Sequence, residues 1–174
     1  MTDYDAVVYD LDGTLVELDV DWNAVAADVL AVYDSADVEP PTTDIWDLLE
    51  RAPEFDLETE AHSAVAAHER EGAPTSPRLA HADDLEERSV PVGVCSLNCE
   101  TACRIALDRH GLDEAVDIVV GRDTVARQKP YPEPLLEAVD KLDAVPERTL
   151  FIGDSPSDEL TAERAGTAFE YVHE

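Results

Sequence analysis

The chain has 174 residues, of which 41 are Asp or Glu against 12 Lys or Arg, for a formal net charge of −29. That length suits one globular domain, or one domain carrying a smaller insertion. Apolar residues make up 44%, enough for a core, so the charge does not imply disorder. A polyanion this strong is a poor candidate for binding nucleic acid, and anionic lipid headgroups repel it.

The acids are spread along the chain, interleaved with Ala and Val, and Lys129 and Lys141 are the only lysines. Such a surface is expected of a protein solvated in concentrated salt, as in halophilic archaea, where self-repulsion is screened within roughly 3 Å at 1 M. The start, Met1-Thr2-Asp3-Tyr4-Asp5, is acidic and lacks the basic and apolar stretches of a signal peptide. No apolar run approaches the roughly 20 residues needed to span a bilayer. The expectation is a soluble, cytoplasmic protein.

The first predicted strand is Ala6-Val7-Val8-Tyr9, stopping at Asp10. Residues 16–76 then carry no strand pattern. Trp22, Val25, Ala26, Val29 and Tyr33 follow a helical stripe, and shorter helical patterns cover Ile45–Arg51 and residues 57–71. Gly72-Ala73-Pro74-Thr75-Ser76-Pro77 has the composition of a linker. A second strand over 90–95 stops at Ser96, and Asn98 is the expected cap of a helix ending at Arg109, His110 and Gly111. Cys95, Cys99 and Cys103 are expected as small buried apolar residues in preference to a metal site. A third strand spans 118–121. After Lys129, the prolines at 130, 132 and 134 are expected to keep the chain extended until a helix begins near Glu133. The fourth strand, 149–152, leads into Gly153 and Asp154. Ser155 and Pro156 then open a helix that Gly166 ends, and a last strand covers 168–172. Short apolar runs alternating with helices predict a parallel α/β sheet.

Open parallel sheets bind ligands at the carboxyl ends of their strands. Those ends offer Asp10 and Asp12, Ser96, Lys129, and Asp154 with Asp158. Crowded carboxylates repel one another unless a cation joins them, which points to a hard divalent metal, most plausibly Mg²⁺. A carboxylate attacking phosphorus would form an acyl-phosphate. A hydroxyl and a lysine nearby would neutralise the phosphoryl oxygens. Each residue alone has a plainer reading: Ser155-x-x-Asp158 is also a capping-box spacing. An EF-hand is excluded, because Gly13 is fourth from Asp10 and that loop needs Gly at the sixth position.

The pattern resembles the haloacid dehalogenase-like superfamily in four short motifs and their order. They are Asp10-Leu11-Asp12-Gly13-Thr14-Leu15, then Ser96 after Val92-Gly93-Val94-Cys95, then Lys129-Pro130-Tyr131-Pro132, then Gly153-Asp154-Ser155-Pro156-Ser157-Asp158. The resemblance implies a Rossmann-like parallel sheet flanked by helices, formed by residues 1–15 and 77–174. It also implies a small C1-type helical cap, residues 16–76, inserted after the first strand. Asp10 would take the phosphoryl group, and Asp12 would protonate the leaving oxygen and later activate water. The dehalogenase branch lacks this second Asp, so phosphoryl chemistry is favoured over dehalogenation. Ser96, Leu97 and Lys129 would contact the phosphoryl group. Mg²⁺ would be held by Asp10, the main-chain carbonyl of Asp12, and Asp154, with Asp158 supporting it directly or through water. One departure is that Leu97 intervenes between Ser96 and Asn98, where the family often has Asn directly after the hydroxyl residue.

Trp22 and Trp46 are expected as core residues before substrate contacts. The insert carries Arg51 and Arg70 against sixteen acids, few cations for a polyanionic substrate. A small phosphorylated metabolite is expected, in the manner of phosphoglycolate-phosphatase-like members. The rivals are a β-phosphoglucomutase-like phosphomutase and, in another class, a non-enzymatic receiver or binding module.

Overall fold

The computed structural model describes residues 3–172; Met1 and Thr2 of the acidic start lie outside the described residues. Five parallel strands form one sheet: β1 (Ala6–Tyr9), β2 (Val92–Cys95), β3 (Ile118–Val120), β4 (Thr149–Gly153) and β5 (Ala168–Tyr171). Their spatial order is β3-β2-β1-β4-β5, with β1 at the centre. Among the described residues seven α-helices accompany them: α1 (Trp22–Ser35), α2 (Ile45–Arg51), α3 (Glu58–Gly72), α4 (His81–Glu86), α5 (Glu100–Arg109), α6 (Glu133–Lys141) and α7 (Pro156–Ala165). The expected Rossmann-like α/β architecture is present. The six-residue α4 has no counterpart among the expected elements.

The strands read as continuous apolar runs because both sheet faces are covered. Val7 and Tyr9 of β1 point to one face, where α4 and α5 contribute Ala82, Leu85, Ala102, Cys103, Ala106 and Leu107. Ala6 and Val8 point to the other, against Leu135, Ala138 and Val139 of α6 and Ala162 and Ala165 of α7. Period-two alternation of the side chains places successive residues on opposite layers. Cys95, Cys99 and Cys103 are free and buried in these layers. Burial pushes the Cys95 thiol up to about 12 and the Cys99 thiol up to about 11, so both are neutral and inert near neutrality.

Helices α1 to α3 enclose a third cluster of their own. Its centre is Val25, Val29 and Tyr33 of α1, Leu48 and Leu49 of α2, and Ala61 and Val65 of α3. Each fully buried large apolar side chain here contributes about 1.5–3 kcal/mol. Tyr33 donates its hydroxyl to the Leu48 carbonyl at 2.7 Å, so its polar end is satisfied where it is buried. Asp21 caps α1 by accepting from the Asn23 and Ala24 amides, and Asp44 caps α2 by accepting from the Asp47 amide.

The two chain segments joining these helices to the sheet run side by side. Val16 and Arg78 form an antiparallel bridge, Glu17 N donates to Pro77 O, and Leu79 N donates to Leu15 O. The stretch 72–77 is packed, in contrast to the linker its composition predicts. Ala73 and Ser76 are buried, and the Ser76 hydroxyl donates to Gly72 O while accepting from Asp19 N. A β-carbon at Gly72 would collide with the Asp19 carbonyl, so small residues serve close packing there instead of flexibility.

A second difference lies before α6. The segment after β3 is a chain of turns where the prolines predict extension, with Tyr131 N donating to Gln128 O and a cis bond between Lys129 and Pro130.

Candidate active site

Register brings the strand ends to one edge. Tyr9 pairs with Val94 and with Ile152, and Val94 pairs with Val119, so β1 to β4 end at nearly the same level. Asp10 follows β1 directly, its amide donating to Ile152 O. Ser96 follows β2, its amide donating to Val120 O. Asp154 follows β4, and Ser155 caps α7 in a capping box with Asp158.

At the centre, the Lys129 ammonium donates to Asp10 Oδ1 at 2.9 Å, to Asp158 Oδ1 at 2.6 Å and to the Cys95 carbonyl at 3.2 Å. Both carboxylates and the lysine are almost entirely buried. Burial alone would push the ammonium down, but Asp10 and Asp158 hold it above the ordinary lysine range, so it stays charged. Burial pushes Asp10 well above the usual carboxylate range, with Lys129 opposing the shift and Asp158 adding to it. Asp158 is doubly engaged: its Oδ2 accepts from the Ser155 hydroxyl at 2.9 Å and from the Ser155 and Asp154 amides at 3.3 Å each. The capping-box reading and the functional reading of Asp158 therefore both describe the same carboxylate.

One oxygen each of Asp10, Asp154 and Asp158 lies within 4.8 Å of the others, a spacing that a single cation can span. The Asp154 carboxylate reaches this point because residue 13 is glycine. Gly13 has φ +82°, and a β-carbon there would run into the Asp154 carboxylate. The Asp12 side chain stands outside that trio and accepts the Leu18 amide at 2.8 Å. Burial raises its pKa, against the opposing hydrogen bond from Leu18.

A cavity of about 150 Å³ opens on this group, lined by Asp10, Asp12, Lys129 and Asp154 and by Trp22 and Trp46. The two indoles, with ring centroids 5.6 Å apart, also pack on the α1–α3 cluster. The expectation of core tryptophans therefore holds in part, since both side chains also line the cavity that the carboxylates line. Leu97 lines the cavity as well, while Ser96 is buried with its hydroxyl donating to Asn98 Oδ1 at 3.0 Å.

Asn98 does not cap α5, as was expected. The cap position belongs to Cys99, which makes no side-chain capping bond. The first helical amide, that of Glu100, donates to Asp123 Oδ1 at 2.8 Å, and the amide of the cap residue Cys99 donates to Glu69 Oε2 at 3.0 Å, far away in sequence. Glu69 sits on α3, is fully buried, and also accepts from Asn98 Nδ2 at 3.1 Å. Arg122, just beyond β3, closes the group. Its Nη1 donates to Glu69 Oε1 and to the Leu97 carbonyl at 2.7 Å each, and its Nη2 donates to Glu69 Oε2 at 3.1 Å. His62 Nδ1 accepts from Arg122 Nε at 3.2 Å. Sequence reasoning passed over both Glu69 and Arg122. The available signal was an acid on the apolar face of α3, which otherwise buries Ala61, Val65, Ala66 and Gly72.

The family model for haloacid dehalogenase-like hydrolases matches residues 56–172. The chain belongs to that family. It is 35% identical to a phosphoglycolate phosphatase of Rhodospirillum rubrum over 92% of this chain and 76% of that protein. It is 36% identical to the pyrophosphatase PpaX of Bacillus mycoides, over 48% of this chain and only 39% of that protein. Among solved structures, a subfamily IA hydrolase of the same superfamily from Geobacter sulfurreducens superposes with a TM-score of 0.64 at 26% identity, covering 95% of this chain and 88% of that one. CbbY from Rhodobacter sphaeroides, solved with phosphate, shares the fold with a TM-score of 0.67 at 20% identity, over 97% and 85%. The chain is thus a hydrolase of the superfamily that its four motifs resemble. Among the described residues no helix is long and apolar enough to cross a membrane.

Proposed function

We propose that this chain is a divalent-metal-dependent phosphatase that hydrolyses small phosphate monoesters through an aspartyl-phosphate on Asp10. The observation that carries this reading is the buried Asp10–Lys129–Asp158 bridge, set beside Asp154 and open to a small cavity. Lys129 holds Asp10 in place and presents a permanent positive charge where phosphoryl oxygens would lie. Asp10 would attack phosphorus in line, forming an acyl-phosphate bond as the bond to the leaving alcohol breaks.

Asp12 would give its proton to the departing alkoxide. Its raised pKa suits a carboxyl that is protonated when needed and ionised afterwards. In the second half it takes a proton from water attacking the acyl-phosphate, releasing inorganic phosphate and restoring Asp10. Asp10 and Asp154, whose carboxylates lie close enough to share a cation, would hold a hard cation such as Mg²⁺ together with the main-chain carbonyl of Asp12, and its charge would offset that of the phosphoryl oxygens. Ser96 and Leu97 form the loop beside the phosphoryl position, held by Asn98 and by Arg122. Residues 16–76 would serve as the cap, excluding water with Trp22 and Trp46. The relationship to a phosphoglycolate phosphatase supports a small monoester as substrate.

The test is phosphate release from a panel of monoesters with Mg²⁺ in molar KCl, comparing wild type with Asp10→Asn. Release by the wild type and none by the variant is expected. Hydrolysis surviving in Asp10→Asn would overturn the assignment of the nucleophile.

A further inference from the structure

In-line attack by Asp10 puts the leaving group on the far side of phosphorus from that carboxylate, toward the open part of the cavity that Asp12 and Trp22 line. Two clefts adjoin there, of about 380 and 500 Å³, each sharing Asp12 and Trp22 with the cavity over Asp10. Glu17 and Asp154 line the first, and Asp44 lines the second beside Trp46. Among the described residues lining all three spaces, Lys129 is the only one with a positive side chain, and its three donor directions are already taken by Asp10, Asp158 and the Cys95 carbonyl. Arg122, the buried cation on the same side of the sheet, is committed to Glu69, Leu97 and His62.

The helical insert is also tied down as it stands. Glu69 of α3 joins Arg122, Asn98 and the Cys99 amide. Gln128 donates to the Trp46 carbonyl at 3.3 Å, and the Tyr131 hydroxyl donates to Glu50 at 2.9 Å. Swinging the insert to bring another cation inward would break a fully buried ion pair, so the lining observed is the lining a substrate meets.

We propose that this site selects phosphate monoesters whose leaving alcohol carries no negative charge, and favours alcohols bearing an amine. This rests on the phosphatase reading given above. A carboxylate or second phosphate on the leaving group would lie between two indoles and beside Glu17 and Asp44, with no cationic side chain to pair it. An ammonium there meets the opposite field, and the indole faces add cation–π attraction. The inference separates this chain from its phosphoglycolate phosphatase relative, whose named substrate leaves as an anion.

Three near-isosteric monoesters provide the test: 2-phosphoglycolate, ethyl phosphate and O-phosphoethanolamine, with leaving groups that are negative, neutral and positive. The readout is kcat/KM for phosphate release by the whole chain with Mg²⁺ at the lowest KCl at which it stays folded, since molar salt screens exposed charges within roughly 3 Å. The expected order is O-phosphoethanolamine, ethyl phosphate, 2-phosphoglycolate, the last at least about tenfold below ethyl phosphate. Turnover led by 2-phosphoglycolate overturns the proposal alone. No turnover of any of the three overturns the phosphatase reading and the proposal with it. Thr43→Arg adds a cation to the second cleft and is expected to raise the ratio of 2-phosphoglycolate to ethyl phosphate at least about threefold. An unmoved ratio also counts against the proposal.

Discussion

Replacing Glu69 with Gln is the sharpest structural test this fold offers. Both carboxylate oxygens of Glu69 act only as acceptors, and together they receive four donors: Asn98 Nδ2 and Arg122 Nη1 on Oε1, Cys99 N and Arg122 Nη2 on Oε2. Gln keeps the shape but turns one oxygen into an amino group, so two of those donors face a donor in either orientation. It also leaves the Arg122 guanidinium buried without a counter-charge, at 1% side-chain exposure. Removing one partner of a buried pair costs about 3–5 kcal/mol, a large part of the roughly 5–15 kcal/mol that holds a domain together. For a domain of this size each kcal/mol moves Tm by about 2–4 °C, so Tm should fall by roughly 6–20 °C. Thermal and urea unfolding followed by circular dichroism in molar KCl measures this directly. Converting both partners, Glu69→Met with Arg122→Met, removes the unpaired charge but strands the Cys99 amide, Asn98 Nδ2 and the Leu97 carbonyl at about 1–3 kcal/mol each, so little of the loss should be recovered. A Glu69→Gln protein within about 1 kcal/mol of wild type would refute the claim that this pair is desolvated and essential.

Burial, followed by the adjacent Arg122 guanidinium, pushes the His62 imidazole below its ordinary value. The unfolded chain therefore binds more protons than the folded one as pH drops below about 6.5, and stability falls from there down to the folded-state pKa. Urea midpoints for wild type and His62→Gln, taken at neutral pH and in mild acid, should show a smaller loss on acidification in the variant; equal losses would dismiss the His62 contribution. Gly13→Ala strains a left-handed residue by about 1–2 kcal/mol and drives a methyl group into Asp154. Displacing that carboxylate should cut kcat/KM at least about a hundredfold while far-ultraviolet dichroism stays native. With buried thiols pushed to about 12 at Cys95 and about 11 at Cys99, a thiol reagent at mildly alkaline pH should label none of the three cysteines until denaturant is added.

The features legible in the sequence were those written locally. A strand stopping at Asp10, a Ser155-Pro156 helix start and a Gly166 stop each depend on a few adjacent residues, and each element forms within a residue or two of its expected place. The turns after Lys129 were misread because proline restricts its neighbours without dictating a long-range path, and a dense string of prolines also suits turns. Asn98 was misread for a related reason. It lies one residue before the cap position, and the amides at the helix start find their acceptors far away in sequence, Cys99 on Glu69 and Glu100 on Asp123. No local pattern distinguishes Glu69 from the forty other acids of the chain unless the helical face it occupies is known to be buried. The tryptophans show the limit of a burial argument, since a ring can complete one hydrophobic cluster and line a polar cavity at once.

The scarcity of lysine has a practical consequence. Lys129 is sealed behind two carboxylates with its ammonium held fully protonated, so it is neither reachable nor nucleophilic toward amine-reactive esters. Lys141 is exposed at the last residue of α6, whose direction is opposite to the strands, so it lies at the end of the sheet remote from Asp10. Ordinary amine coupling would therefore place a single side-chain dye or surface tether on the far pole of the molecule. A fluorescence or surface-based binding measurement could then be built without engineering a cysteine and without burdening the end where chemistry occurs.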